Sequence, residues 1–374
     1  WAVIPANGEP GEEQLLVLDQ EQKTVELGGF PCSDQPPALS LFRQFSAPVH
    51  WEASQEPAEL FTLLACDNDP FARWDAGQQL WRRLLLARAS GTPNADLEGQ
   101  MLEALTVLLA PDGEQDPAVL STLMAFPGGP ELEALQQEAD PPALYRAACE
   151  LREQFGQSLA PLLRERLNLV EAALVLAWPE GQGQRQLTGL IWAWLAAAGD
   201  SEVRIAALAA VGGPSMTLAR AALRALQPLD CPEREQALRQ FHDRWQEKPV
   251  IFDSWFALEA STPREDGVQR VASLLQHPRF DPMAPNAVRA VLGGFAGNLL
   301  VFHAEDGSGY RFMAEQIIAL DQRNAITASR LAKVFSRWGT YSSKRQVLVK
   351  AALDQLSAAQ LSSNTREVVE MMLG

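Results

Sequence analysis

The side chains with the greatest chemical reach gather between Pro285 and Arg330. Arg289 comes first, followed by Gly293-Gly294-Phe295-Ala296-Gly297-Asn298, then His303-Ala304-Glu305-Asp306-Gly307-Ser308-Gly309-Tyr310, with Arg330 closing the stretch. A guanidinium is a planar fork of donors suited to a carboxylate. The two glycine-rich breaks add backbone freedom beside polar side chains, which is how loops on a rigid framework present binding groups. From residue type alone, each arginine also reads as an ordinary solvated or salt-bridged surface residue.

His303, Glu305 and Asp306 are close enough in sequence to be weighed as metal ligands, with Ser308 nearby. Residues two and three apart converge on an ion only in a specially folded loop, and an ion needs further ligands. The plainer reading is a hydrogen-bonded turn at Asp306-Gly307-Ser308-Gly309. A carboxylate pair of Glu305 and Asp306 working as acid and base is a remoter third possibility. The other histidines, His50, His242 and His277, share no four-residue spacing, and HExxH, GxSxG, a Walker loop and GxGxxG are all absent. No catalytic residue and no metal ligand is therefore assigned. Trp178, Trp192, Trp194, Trp245 and Trp255 read as packing between helices, and Arg82-Arg83 and Lys344-Arg345 as solvated basic pairs.

The elements that must position these residues follow from composition and punctuation. A length of 374 residues, 47% apolar and 21% charged, specifies a folded chain with a substantial core. A net charge of −16 opposes nucleic acid or an anionic membrane as a general partner. No apolar run of membrane-spanning length occurs and the start resembles no signal peptide. The first residue, Trp1, suggests an excised fragment. Cys32, Cys66, Cys149 and Cys231 form no CxxC pair and read as reduced thiols of a cytoplasmic protein.

Before Pro57, runs at Leu15–Leu18, Lys23–Leu27 and Leu39–Glu52 predict strands of a small, partial β-sandwich. Beyond it, helical periodicity such as Leu60, Leu63 and Leu64 alternates with proline and glycine breakers every 10 to 20 residues. Asp69 and Asp200 suit N-caps, and Pro70 and Pro214 suit first turns. The expected fold is mostly α: an irregular α-solenoid of stacked antiparallel helices after a short β segment, divided at residues 1–53 and 54–374.

The segment NAVRAVLGGFAGNLLVFHAEDGSGYRFMAEQIIALDQRNAITASRLAKVFSRWGTYSSKRQ resembles the C-terminal helical domain of bacterial aminopeptidase N, a zinc peptidase of the gluzincin class. PALSLFRQFSAPVHWE (Pro37 to Glu52) and DPFARWDAGQQL (Asp69 to Leu80) extend the likeness over most of the chain. The resemblance implies that a parent enzyme removes N-terminal residues from peptides with zinc held outside this chain. The present part would be catalytically inactive alone, closing as a helical lid on the catalytic domain of the same polypeptide. It further implies that Arg289 and Arg330 face the cavity and hold a peptide carboxylate. Ile326 would border the first side-chain pocket, where better-known members carry glutamine. The alternative of another class is a free-standing α-solenoid that binds proteins on its concave surface.

Overall fold

The computed structural model describes residues 1–5, 11–17, 19–25, 37–46, 53–177 and 179–374. It resolves into two compact units, residues 1–127 with 158–190, and residues 128–157 with 191–374.

In the first unit, β1 (Ala2–Ile4) pairs antiparallel with β2 (Ala38–Ser40), Val3 opposite Leu39. The sequence reading missed β1, whose three consecutive buried residues show no alternation. Residues 15–17 and 23–25 are not strands; Leu15 and Val17 are exposed, so their apolar spacing meets no packing surface. The strand expected from Leu39 ends at Ser40, and a 3₁₀ turn follows at Arg43–Phe45. That turn brings Arg43 Nη1 to 3.0 Å from Ser40 Oγ and 2.5 Å from Asp67 Oδ1, a buried ion pair tying the β segment to the first helices. The expected strand residues 47–52, Leu18, residues 26–27, and also Cys32, His50 and Trp178, lie outside the described residues.

Helix starts in this unit follow local chemistry. Glu56 and Glu59 form a capping box ahead of Pro57–Cys66, whose Leu60, Leu63 and Leu64 are buried. Asp69 accepts from the Phe71 amide, with Pro70 in the first turn of Pro70–Ala89. Arg166 is buried on the helix Ala160–Glu171 and donates to the Leu109 carbonyl at 2.8 Å and to that of Ala110. The guanidinium thus supplies a donor to the last carbonyl of the helix Ala95–Leu109, and a second donor to the Ala110 carbonyl, which also accepts from the Gly113 amide at 2.8 Å.

The second unit is built of helices joined by short connections. Asp200 caps Ser201–Val211, and Ser215 caps Met216–Leu226, leaving Pro214 just outside the helix rather than in its first turn. Pro232–Trp245 packs on Pro249–Ser261, where the Trp255 indole donates to the Leu238 carbonyl at 3.1 Å. Ser308–Asp321 packs on Ala325–Ala332 and on Ser343–Ala358. Residues 128–157 join this unit through a bridge between Ala139 and Tyr341, and through Arg337, which donates to the Pro130 carbonyl at 2.9 Å. Trp194, Phe155, Phe241, Phe256, Phe295 and Tyr310 fill the interior. Trp192, Trp194 and Trp255 are buried, as their packing role requires. No helix among the described residues is long and apolar enough to cross a membrane.

Candidate functional site

Pro285 opens a short helix through Val288, and Arg289–Gly293 continues it as a π-helical turn. An α turn follows at Gly294–Ala296. Gly297 ends the helical path and Asn298 caps the next helix, Leu299–Phe302, so the predicted break falls there; Gly293 and Gly294, also at negative φ, lie within a continuous helical path. Their role is close approach rather than looping. A Cβ on Gly294 would sit 3.0 Å from the Ala257 carbonyl oxygen, so the helix Pro249–Ser261 comes near only because hydrogen stands there. Single π turns are concentrated at functional sites, since the extra residue displaces side chains from ordinary helical positions.

Arg289 opens this turn, exposed, donating to Asn286 Oδ1 at 2.9 Å. It lines a cleft of about 560 Å³ together with Arg220 and Arg224 from Met216–Leu226, and Asp253 and Ser254 from Pro249–Ser261. The cleft is held at one end by Gln227, whose Nε2 donates to Ser261 Oγ at 2.6 Å. Burial raises the Asp253 carboxyl above its ordinary range, and the Arg289 charge opposes that rise. The volume suits a small ligand, and the lining offers three guanidinium groups against one carboxylate.

Arg330 lies elsewhere. It ends the helix Ala325–Ala332, which Asn324 caps by accepting from the Thr327 amide at 3.1 Å, and it is not a lining residue of the Arg289 cleft. That helix does pack against the π turn. Ile326 is 58% exposed, and its four-residue separation from the exposed Arg330 puts both on one helix face.

The histidine run is a structural core. His303 is buried, its Nδ1 2.7 Å from the Tyr310 hydroxyl, and Arg345 donates to the His303 carbonyl at 2.6 Å and to the Tyr310 hydroxyl at 3.3 Å. Burial, with the Arg345 charge beside it, pushes the imidazole down to about 3. Arg345 is thus no solvated basic residue. Glu305 is exposed with Lys344 3.7 Å away, and Asp306 accepts from the Ser308 amide at 2.9 Å, ahead of Gly307 at φ 70°. That is the turn its residue types favour. Among the described residues, no group of three His, Cys, Asp or Glu side chains could hold a metal ion.

One cluster escaped sequence reasoning. His242 and His277, 35 residues apart, bring their Nε2 atoms within 3.3 Å beside Phe252 and Trp255. The Arg279 amide donates to His277 Nδ1 at 3.1 Å, so His277 carries its proton on Nε2 and gives it to His242, whose Nδ1 faces Asp243 at 2.9 Å. Burial and the neighbouring His242, Arg270 and Arg279 lower the His277 titration point.

Residues 57–374 match a family described as a domain of unknown function (DUF3458_C) with ARM repeats. Aminopeptidase N of Caulobacter vibrioides is 34% identical over 382 residues, covering 97% of this chain and 42% of its own. Aminopeptidase N of Escherichia coli is 32% identical over 386 residues, covering 99% and 43%. The crystal structure of Legionella pneumophila aminopeptidase A in complex with aspartic acid superposes with a TM-score of 0.85 at 25% identity, over 100% of this chain and 44% of that one. The chain spans less than half the length of the relatives it matches, in their C-terminal region.

Proposed function

The chain belongs to the DUF3458_C family of ARM-repeat domains, and from that premise we propose that it is the C-terminal helical part of a zinc aminopeptidase that trims N-terminal residues from peptides. The carrying observation is that aminopeptidase N sequences align with almost all of it. On this reading residues 1–53 finish a small β-sandwich and residues 54–374 form a helical lid over the catalytic domain of the same cytoplasmic polypeptide. The lid excludes bulk water and folded proteins, which strengthens electrostatics inside the chamber.

Arg289 and Arg330 serve as anchors for the peptide carboxylate, and Ile326 borders the first side-chain pocket. The exposure of all three supports this. Zinc would polarise the scissile carbonyl and activate water in the catalytic part. Among the described residues no three His, Cys, Asp or Glu side chains are grouped to hold a metal ion, and on this reading the zinc lies in the catalytic part. This chain's own residues bind and orient the substrate.

The test is to mix this chain with a separately produced catalytic portion. Association, with slower entry of long peptides than of dipeptides, is expected. The chain alone should hydrolyse no aminoacyl reporter, with or without added zinc. Metal-dependent turnover by the chain, or no association at any concentration tried, would remove the proposal.

A further inference from the structure

Arg220 and Arg224 are separated by one helical turn on Met216–Leu226 and open onto the same cleft. Like charges at that spacing repel. A chain with a net charge of −16 has acids to spare for neutralising them. Other arginines of this unit are matched: Arg234 with Asp230 at 2.9 Å, Arg264 with Glu235 at 3.0 Å, and Arg270 with Glu259 at 2.8 Å. Arg244 spends its guanidinium on the carbonyls of Gly212 and Gly213, both at 2.8 Å.

Arg220 and Arg224, by contrast, are exposed and make no hydrogen bond or ion pair among the described residues. The one carboxylate of the cleft, Asp253, is in the field of Arg289. Two guanidinium groups are thus left facing a volume of about 560 Å³ with nothing of their own to bind.

We propose that the cleft between Met216–Leu226, Pro249–Ser261 and the Arg289 turn is an anion subsite that takes acidic peptide side chains, with Arg220 and Arg224 as its paired donors. The subsite selects peptides carrying Glu or Asp away from the end that is cut. It rests on the chamber reading above for the ligand being a peptide, while its chemistry rests on the cleft. Guanidinium groups one turn apart can each fork onto a carboxylate, so two neighbouring acidic side chains fill the site better than one.

The experiment is titration of the full chain with the peptide Ala-Ala-Glu-Glu-amide and with its glutamine counterpart, whose amidated ends remove any terminal carboxylate. Binding of the glutamate peptide is expected to be at least about tenfold tighter, in line with charged hydrogen bonds, and to weaken with salt. The double variant Arg220→Gln/Arg224→Gln should abolish that preference while keeping the circular dichroism and melting temperature of the parent, both side chains being exposed. Equal binding of the two peptides, or a preference retained by the double variant, overturns the subsite. Inorganic phosphate binding more tightly than the glutamate peptide reassigns the cleft to phosphate and also overturns the peptide claim. None of these outcomes depends on hydrolysis or on association with a catalytic portion, so this proposal and the previous one fail separately.

Discussion

The Tyr310 hydroxyl and Nδ1 of His303 are hydrogen-bonded across 2.7 Å, and Arg345 donates to the same hydroxyl oxygen at 3.3 Å. His303 is neutral, the state that burial beside a guanidinium demands. This knot holds the end of the glycine-rich run against the helix Ser343–Ala358.

Acid should loosen that knot. The native imidazole takes a proton only near pH 3, against 6.5 for the free group. Between those values the unfolded chain binds the extra proton, so stability falls as pH drops, by about 1.4 kcal/mol per pH unit for one histidine. Urea unfolding from pH 7 to pH 4 should show a shallower dependence for His303→Gln than for the parent. Identical slopes would show that His303 titrates normally in the native state.

Removing the Tyr310 hydroxyl alone should also be costly. Tyr310→Phe leaves a buried ring nitrogen without its partner and should destabilise by about 1 to 3 kcal/mol, measured at pH 7 by urea titration. A neutral result would mean that another partner, or water, reaches Nδ1.

Two glycines should respond with opposite signs. A Cβ on Gly309 would lie 2.4 Å from the Phe302 carbonyl oxygen and 2.6 Å from that of Val301, so Gly309→Ala should cost about 1 to 3 kcal/mol through forced backbone shifts. Gly99, within the helix Ala95–Leu109, has nothing within 4 Å of such an atom. Gly99→Ala should stabilise by about 0.5 to 1 kcal/mol. Melting temperatures of the two variants compare the signs directly.

The Arg43–Asp67 pair has side-chain exposures of 6% and 0%. Asp67→Ala leaves the buried guanidinium with the half-exposed Glu13, 3.8 Å away, as its remaining counter-charge among the described residues, at a cost of about 3 kcal/mol. Replacing both residues with apolar ones, Arg43→Met with Asp67→Leu, should cost less than the single change. A double variant less stable than Asp67→Ala would mean that the pair is net stabilising.

At the site, Arg330→Ala in a full-length enzyme should lower kcat/KM for tripeptides about tenfold or more, as loss of a charged hydrogen bond requires. Aminoacyl reporters that lack a carboxylate should change by less than about twofold. Equal losses on both substrates would rule out the anchor role.

What could be read in advance depended on how local the cause was. Asp69, Asp200 and Asp306 cap or turn the backbone within three residues of themselves, and each behaves as its type and neighbours foretell. The helices of the second unit follow from short-range punctuation in the same way. β1 did not, because a fully buried strand shows no alternation and its partner is more than 30 residues away. The π turn was hidden for a different reason: paired glycines look like a loop until a neighbouring helix needs the space. Arg220 and Arg224 carried a usable signal, like charges one turn apart, but their meeting with Arg289 is purely tertiary. His242 and His277 offered no signal at all, since only tertiary packing brings His242, on Pro232–Trp245, to His277, just past the helix Gly267–Leu274.

The wide turn at Arg289 stores one residue more than regular winding needs. Passing that surplus one step along the helix would swing a side chain by about 100°, the angular increment of a single residue. Arg289 opens that turn, so such a step would re-aim its guanidinium over the cleft it lines.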